Sequence, residues 1–384
     1  MKNYNEILTE TRAWAEEVFA KIEPKCLAMA KRSRDFIPSG VKEDGMHRPV
    51  TCLAWTGGFF GATNFILYNH TGNEEYLKTA QKQEELMSKG LERPDELDHD
   101  VGFMLHLLQG NNYRLTGNES SKLRNLTAAA LLSSRYVLNG GFIKAWNDGY
   151  WRGIYNKELS IIDCMMNLPL LYWASETIGD DRFKQIAMAH ADMALVDHLR
   201  EDGSVVHMAD HDREKGTVVR TWGGQGYCEG SSWSRGQAWG LYGFVLSYIY
   251  TKEERYLTAA KLISNYFIAN CCDDWLPRVD FRAPSQPVYY DSTAGACAAC
   301  GLIELAKLLP EHEGGMYMHA AVKMLKAMEK SFMNYDMNTD ELLGYGTTLY
   351  PVKGTEKVHE SIIYGDYFFI EALLKLLGQE FLPW

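Results

Sequence analysis

The sequence predicts an all-α protein, an (α/α)6 barrel in which six helical hairpins form an inner and an outer ring. Three observations carry that prediction. Two kinds of helix alternate along the chain, one kind is apolar nearly all round, and short turns containing Gly join them.

The charged, amphipathic kind is expected over residues 4–33, 74–90, 119–136, 181–200, 253–271 and 315–333. In the fifth of these Tyr256, Ala259, Ala260, Ile263 and Phe267 share one stripe, and Lys252, Glu253, Glu254, Arg255 and Lys261 are left for water. Such helices belong on the outside. The second kind is rich in Gly, Ala and Ser and covers residues 51–60, 100–105, 161–175, 231–250, 291–309 and 360–377. Helices without a polar face belong inside, and small residues let them approach closely.

The turns Asn69 to Glu74, Leu115 to Glu119 and Thr177 to Asp181 each hold a Gly to stop one helix and an Asn or Asp to start the next. No Pro/Gly/Ser linker divides the 384 residues, so a single domain over 1–384 is expected. In a closed barrel the inner helices run the same way, and the loops before them gather at one mouth. Three long loops, 137–158, 201–230 and 272–290, bring Trp146, Trp151, Trp222, Trp275 and His207 to that end, where a ligand site is expected.

Composition narrows the function. A hydrophobic content of 46% with 23% charged residues is that of an ordinary globular protein, and no run reaches the roughly 18 apolar residues of a membrane span. The net charge of −11 argues against nucleic acid and anionic membrane as partners. It allows a small anionic ligand where Arg, His and helix N-termini cluster. The eight cysteines sit mostly in apolar stretches and read as reduced thiols. With the polar start Met1 to Glu6, this makes a cytoplasmic enzyme the expectation. Cys297-Ala-Ala-Cys300 has metal spacing but no second pair, so no metal is expected there.

Two carboxylates stand out. Asp163 lies among Ile161, Ile162, Met165 and Met166 in a stretch that reads as a buried helix, and Asp100 lies at the start of the preceding inner helix. A buried carboxylate finds partners or takes up a proton, which is what a general acid at neutral pH needs. The bland reading makes each Asp a helix cap. Two carboxylates at one mouth would instead split their pKa values, as in glycosidases.

Arg235 and Trp239 are one helical turn apart and suit a planar carboxylate and its ring, or simply pack on one another. His207-Met-Ala-Asp210-His211-Asp212 reads as a polar loop with His207 in a hydrogen-bonding role rather than a metal cluster. Gly223-Gly-Gln225-Gly reads as a flexible loop that brings Gln225 toward the site.

Taken together, His99-Asp100-Val-Gly-Phe, Ile161 to Ser175, Ser234-Arg235-Gly-Gln-Ala-Trp239-Gly and Tyr364-Gly-Asp-Tyr-Phe-Phe-Ile-Glu-Ala resemble the unsaturated glucuronyl hydrolases, glycoside hydrolase family 88. The resemblance implies a six-hairpin barrel. It implies a substrate whose non-reducing end is a 4,5-unsaturated uronic acid left by a polysaccharide lyase, and a reaction that hydrates the C4=C5 bond. By similarity Asp163 is the acid/base, and Trp55, His207, Gln225, Arg235 and Trp239 line the uronate subsite, with Arg235 a partner for the carboxylate. No metal or organic cofactor is implied. On physical grounds Asp100 would add negative charge beside the cationic transition state and keep the Asp163 pKa high. The stretch Lys353 to His359 is where sulfate preference would be tuned, with Lys353 and Lys357 favouring a sulfate and Glu356 opposing it.

Rival readings are an unsaturated rhamnogalacturonyl hydrolase acting on pectin fragments, a sugar 2-epimerase on a similar barrel, and a helical scaffold without catalysis. The epimerase would show a buried His pair in place of the two Asp.

Overall fold

A computed structural model of the chain describes residues 2–271, 273–352, 354 and 357–384. Its helices are α1 (Tyr4–Arg32), α2 (Gly58–Thr71), α3 (Glu74–Ser88), a π-wound turn over Gly102–Gly110 that continues as α4 (Asn111–Thr116), and α5 (Glu119–Ser133). They are followed by α6 (Pro169–Ile178), α7 (Arg182–Asp197), α8 (Ser234–Thr251), α9 (Glu254–Cys271), α10 (Ser292–Leu308), α11 (Glu311–Phe332) and α12 (Ile363–Leu376). Odd-numbered helices lie outside and even-numbered ones inside.

The ring is closed. Inner helix α12 packs on both α10 and α2, and outer helix α1 packs on both α11 and α3. The hairpin turns work as their residues predict: Gly72, Gly117 and Gly179 take left-handed backbone at the helix ends, and Asn73 and Asn118 cap the helices that follow. The barrel axis is filled by aromatic rings, with Phe59, Phe103, Trp239 and Tyr364 toward the mouth and Phe368 stacked on Trp384 beneath them.

Two boundaries differ from expectation. Residues 51–54 are not helical, because α2 begins only at Gly58 after a short 3-10 turn at Trp55–Gly57. Asp163 lies not in a helix but in a 3-10 turn, Ile162–Met166, between a strand and α6, which starts with Pro169 in its first turn.

The loops at the mouth also carry more structure than their composition suggests. Strands β1 (Ile37–Val41) and β2 (His47–Val50) form one hairpin. Strands β3 (Tyr136–Val137) and β4 (Phe142–Ile143) form a second, and β5 (Tyr150–Trp151) and β6 (Ile154–Tyr155) a third. A three-stranded antiparallel sheet joins β7 (Leu159–Ile161), β8 (Met208–His211) and β9 (Val218–Trp222). Residues 208–211 are therefore strand rather than loop. Among the described residues no helix is long and apolar enough to cross a membrane.

Candidate active site

The sheet register sets the site. Ile161 pairs with Met208, and Ile162 donates its N–H to the His207 carbonyl at 3.0 Å, so the next residue, Asp163, comes to rest beside the His207 ring. His207 Nε2 lies 3.4 Å from Asp163 Oδ1. This contact is long for a hydrogen bond, and neither atom has a closer partner among the described residues.

On the other side of the imidazole, Gln225 donates its backbone N–H to Nδ1 at 3.0 Å. Nδ1 is thereby the acceptor, so the ring proton sits on Nε2 and faces Asp163. Gly224 makes this possible: its backbone is left-handed, with φ +61°, and a Cβ there would fall 2.0 Å from His207 Nδ1.

Asp100 reaches the same place from the neighbouring inner helix. Asp98, not Asp100, caps that helix start, accepting the Asp100 N–H at 2.9 Å and leaving the Asp100 carboxyl to the cavity. His99 Nε2 stands 3.6 Å from Asp100 Oδ1. Asn167 ties the two segments together: its Oδ1 accepts the Phe103 N–H at 2.8 Å. Gly102 leaves room for it, since a Cβ there would fall 2.5 Å from that oxygen.

Both carboxyl groups are nearly buried, and their environments push them apart. Burial, with the negative charge of Asp98 and Asp163, holds Asp100 well above the usual carboxylate range. Burial also works to raise Asp163, but the His207 contact and the fields of His207, His99 and Arg235 outweigh it and leave Asp163 below its ordinary value. The expectation that Asp163 is the raised member is corrected here. The two acids are thus shifted in opposite directions, Asp100 toward its protonated form by burial and its acidic neighbours, and Asp163 toward its ionised form by the His207 contact.

Trp55, Asp98, His99, Asp100, Asp163 and Gln225 line one cavity of about 490 Å³, in the range of small-ligand sites. Its walls are completed by Trp146, Trp151, Asn156 and Thr348. These come from the segments that precede α2, the π-wound turn, α6, α8 and α12, so this is the mouth of the inner ring. A larger open groove of about 920 Å³ lies beside it and shares Asn147; within it Lys144 pairs with Asp148 and Arg213 with Glu158.

His207, Arg235 and Trp239 do not line the cavity. His207 stands behind Asp163, and Arg235 and Trp239 are 1% and 0% exposed. The expectation that Arg235 and Trp239 share a face open to a carboxylate is thereby corrected. Asp291, at the start of α10, takes the Arg235 guanidinium at 2.7 Å, and the same group donates to the Thr347 and Thr348 carbonyls and lies over Trp233. Gln225 Nε2 donates to the Thr348 carbonyl too, at 2.7 Å. Arg235 therefore builds the wall that holds Thr348 and Gln225.

His211 turns away from the site, stacking on Phe142 and reaching Asp197 at 3.1 Å. Lys353 and Glu356 lie outside the described residues, and Lys357 is exposed, 3.7 Å from Glu360. Sequence reasoning missed Asn167 and Thr348. An Asn in an otherwise apolar run was a usable signal for the first, and nothing marked the second.

Comparison with known proteins accords with this geometry. The model of Glycosyl Hydrolase Family 88 matches residues 29–336. The unsaturated glucuronyl hydrolase of Bacillus sp. (strain GL1) is 36% identical over 327 residues, 84% of this chain and 86% of that protein. The unsaturated chondroitin disaccharide hydrolase of Streptococcus pyogenes serotype M1 is 32% identical over 89% of this chain and 86% of its own length. The crystal structure of the Bacillus sp. GL1 unsaturated glucuronyl hydrolase, responsible for the degradation of glycosaminoglycan, superposes with a TM-score of 0.87, covering 93% of this chain and 96% of that one at 32% identity. A closed ring of six hairpins, two buried acids at its mouth and likeness over most of the length lead to one assignment: the chain belongs to glycosyl hydrolase family 88.

Proposed function

We propose that the protein is an unsaturated glucuronyl hydrolase that removes the 4,5-unsaturated uronate from the non-reducing end of glycosaminoglycan fragments, unsaturated chondroitin and hyaluronan disaccharides among them. The observation that carries this reading is the meeting of Asp100 and Asp163 in one aromatic-walled cavity, their carboxyl groups shifted in opposite directions by their surroundings. The family membership and the names of the relatives support the substrate class.

Hydration of a vinyl ether needs one acid and one negative charge. A bound uronate expels water and brings its own carboxylate, and both changes raise the two acids together, so that the pair keeps a proton that Asp163 can take up. Asp163 then protonates C4. The oxocarbenium ion that forms across C5 and the ring oxygen is stabilised by the Asp100 carboxylate. Water attacks C5 and returns its proton to Asp163, which restores the acid. The resulting hemiketal opens, and the glycosidic bond is lost by rearrangement.

In this scheme His207 holds Asp163 in place and Trp55 and Gln225 wall the uronate. Arg235 and Trp239 support that wall from beneath. Cys228 is an exposed thiol, and Cys26, Cys164, Cys297 and Cys300 are buried thiols, which supports a reducing compartment, and we place the protein in the cytoplasm. The test is to mix purified protein with lyase-generated chondroitin disaccharide and follow the ultraviolet band of the conjugated double bond. The reading predicts its loss.

A further inference from the structure

At the rim of the cavity the β5 and β6 hairpin presents two tyrosines to water. Tyr150 is 79% exposed and Tyr155 47%. The two face each other across the strands, with ring centroids 5.0 Å apart. Large aromatic rings held open to solvent beside a ligand cavity mark a contact surface.

The hairpin is built to hold them. Its two-residue turn, Arg152 and Gly153, has positive φ at both positions, +51° and +85°, as the tightest hairpins require. Strand alternation sends Trp151 to the opposite side. There it packs, with Trp146 and Trp222, on a small apolar core of Ala145, Leu159, Ile161 and Met208 that is separate from the barrel core. The base is tied by the Asn156 N–H to the Gly149 carbonyl at 2.9 Å and by the Asn156 side chain to the Asn147 carbonyl at 3.0 Å.

We propose that the Tyr150 and Tyr155 pair is a stacking platform for a sugar beyond the disaccharide, so that the enzyme favours longer unsaturated oligosaccharides over disaccharides. The inference rests on the proposed function, which also sets its direction. The unsaturated uronate must reach Asp100 and Asp163, so the rest of the chain leaves toward the rim, and Tyr150 and Trp151 line that way out. A pyranose ring offers a C–H face to an aromatic ring and hydroxyls to the water around it. The exposed strip is continuous with the cavity, and it is far smaller than the surface that a stable protein partner covers.

The test compares kcat/KM for an unsaturated tetrasaccharide and an unsaturated disaccharide cut from the same polymer, in wild type, Tyr150→Ala, Tyr155→Ala and Tyr150→Phe. In wild type the tetrasaccharide is expected to be the better substrate. Tyr150→Ala lowers the tetrasaccharide-to-disaccharide ratio about five- to tenfold, chiefly through KM, and Tyr150→Phe keeps it. Tyr155→Ala lowers the ratio less and serves where Tyr150→Ala does not fold. An unchanged ratio in the alanine variants, or a wild type that prefers the disaccharide, overturns the platform. A wild type that turns over neither sugar overturns the underlying function instead.

Discussion

Gln225 donates its backbone N–H to Nδ1 of His207 at 3.0 Å, and this bond decides which face of the imidazole Asp163 meets. With Nδ1 engaged, the ring can offer Asp163 only an N–H. The structure thus supplies a donor that lowers Asp163, while burial and acidic neighbours raise Asp100.

A pH profile reads this directly. The proposed reaction needs one proton on the pair, and with Asp163 lowered and Asp100 raised kcat/KM should fall on the acid side as Asp163 protonates and on the alkaline side as Asp100 ionises. His207→Phe keeps a ring beside Trp233 but removes the donor, which raises Asp163. The acid limb should move to higher pH and the bell should narrow, with a loss of activity of about tenfold or more at the optimum. An acid limb that stays in place would contradict the role given to His207.

Gly224→Ala tests the same bond from the other partner. Its Cβ would collide with His207 Nδ1, and its φ of +61° is strained for an L side chain. The turn must shift and release the ring. The expected result is a fall in kcat of about tenfold or more, with a melting temperature lower by only a few degrees.

Arg235 is read as a structural group, and stability separates that from direct binding. Arg235→Ala leaves Asp291 buried without its ion pair, which costs about 3–5 kcal/mol and lowers the melting temperature by roughly 4–6 °C. Were Arg235 only a substrate contact, KM would rise with the melting temperature unchanged.

Far from the cavity, burial pushes the Asp366 carboxyl up to about 8, with the Leu343 N–H and Lys25 pulling the other way. Its folded pKa is raised above the unfolded value, so the folded state holds this proton longer. Stability is therefore lost as pH rises from about 4 toward 8, by about 1.4 kcal/mol per pH unit. Asp366→Asn removes the titration and can still accept from Leu343. At pH 8 it should melt several degrees above wild type, and near pH 4 the two should match.

The alternation of helix types made the ring legible from sequence, because burial on all sides leaves a plain mark in composition. Asp100 and Asp163 could be placed at one mouth for the same reason, Gln225 through the long loop that carries it, and Trp55 through the family resemblance. The proton distribution between the acids could not, because it depends on the register that sets His207 beside Asp163 and on the Gln225 N–H behind it. The burial of Arg235 against Asp291 was not legible, because a buried Arg and a ligand-binding Arg look alike in sequence. Only the position of Asp291, 56 residues further on, tells them apart. The short strands at the mouth were hidden in loops whose pairing partners are distant along the chain.

The central claim is that Asp163 passes the proton to C4 of an unsaturated uronate. Its most direct test is the ultraviolet absorbance of an unsaturated chondroitin disaccharide mixed with wild type and with Asp163→Asn, the fold of each checked by its melting temperature. The account predicts that wild type removes the band and that the folded Asp163→Asn variant leaves it, with a rate at least about a thousandfold lower. A folded Asp163→Asn variant that clears the band at a substantial fraction of the wild-type rate would contradict it and move the acid to Asp100.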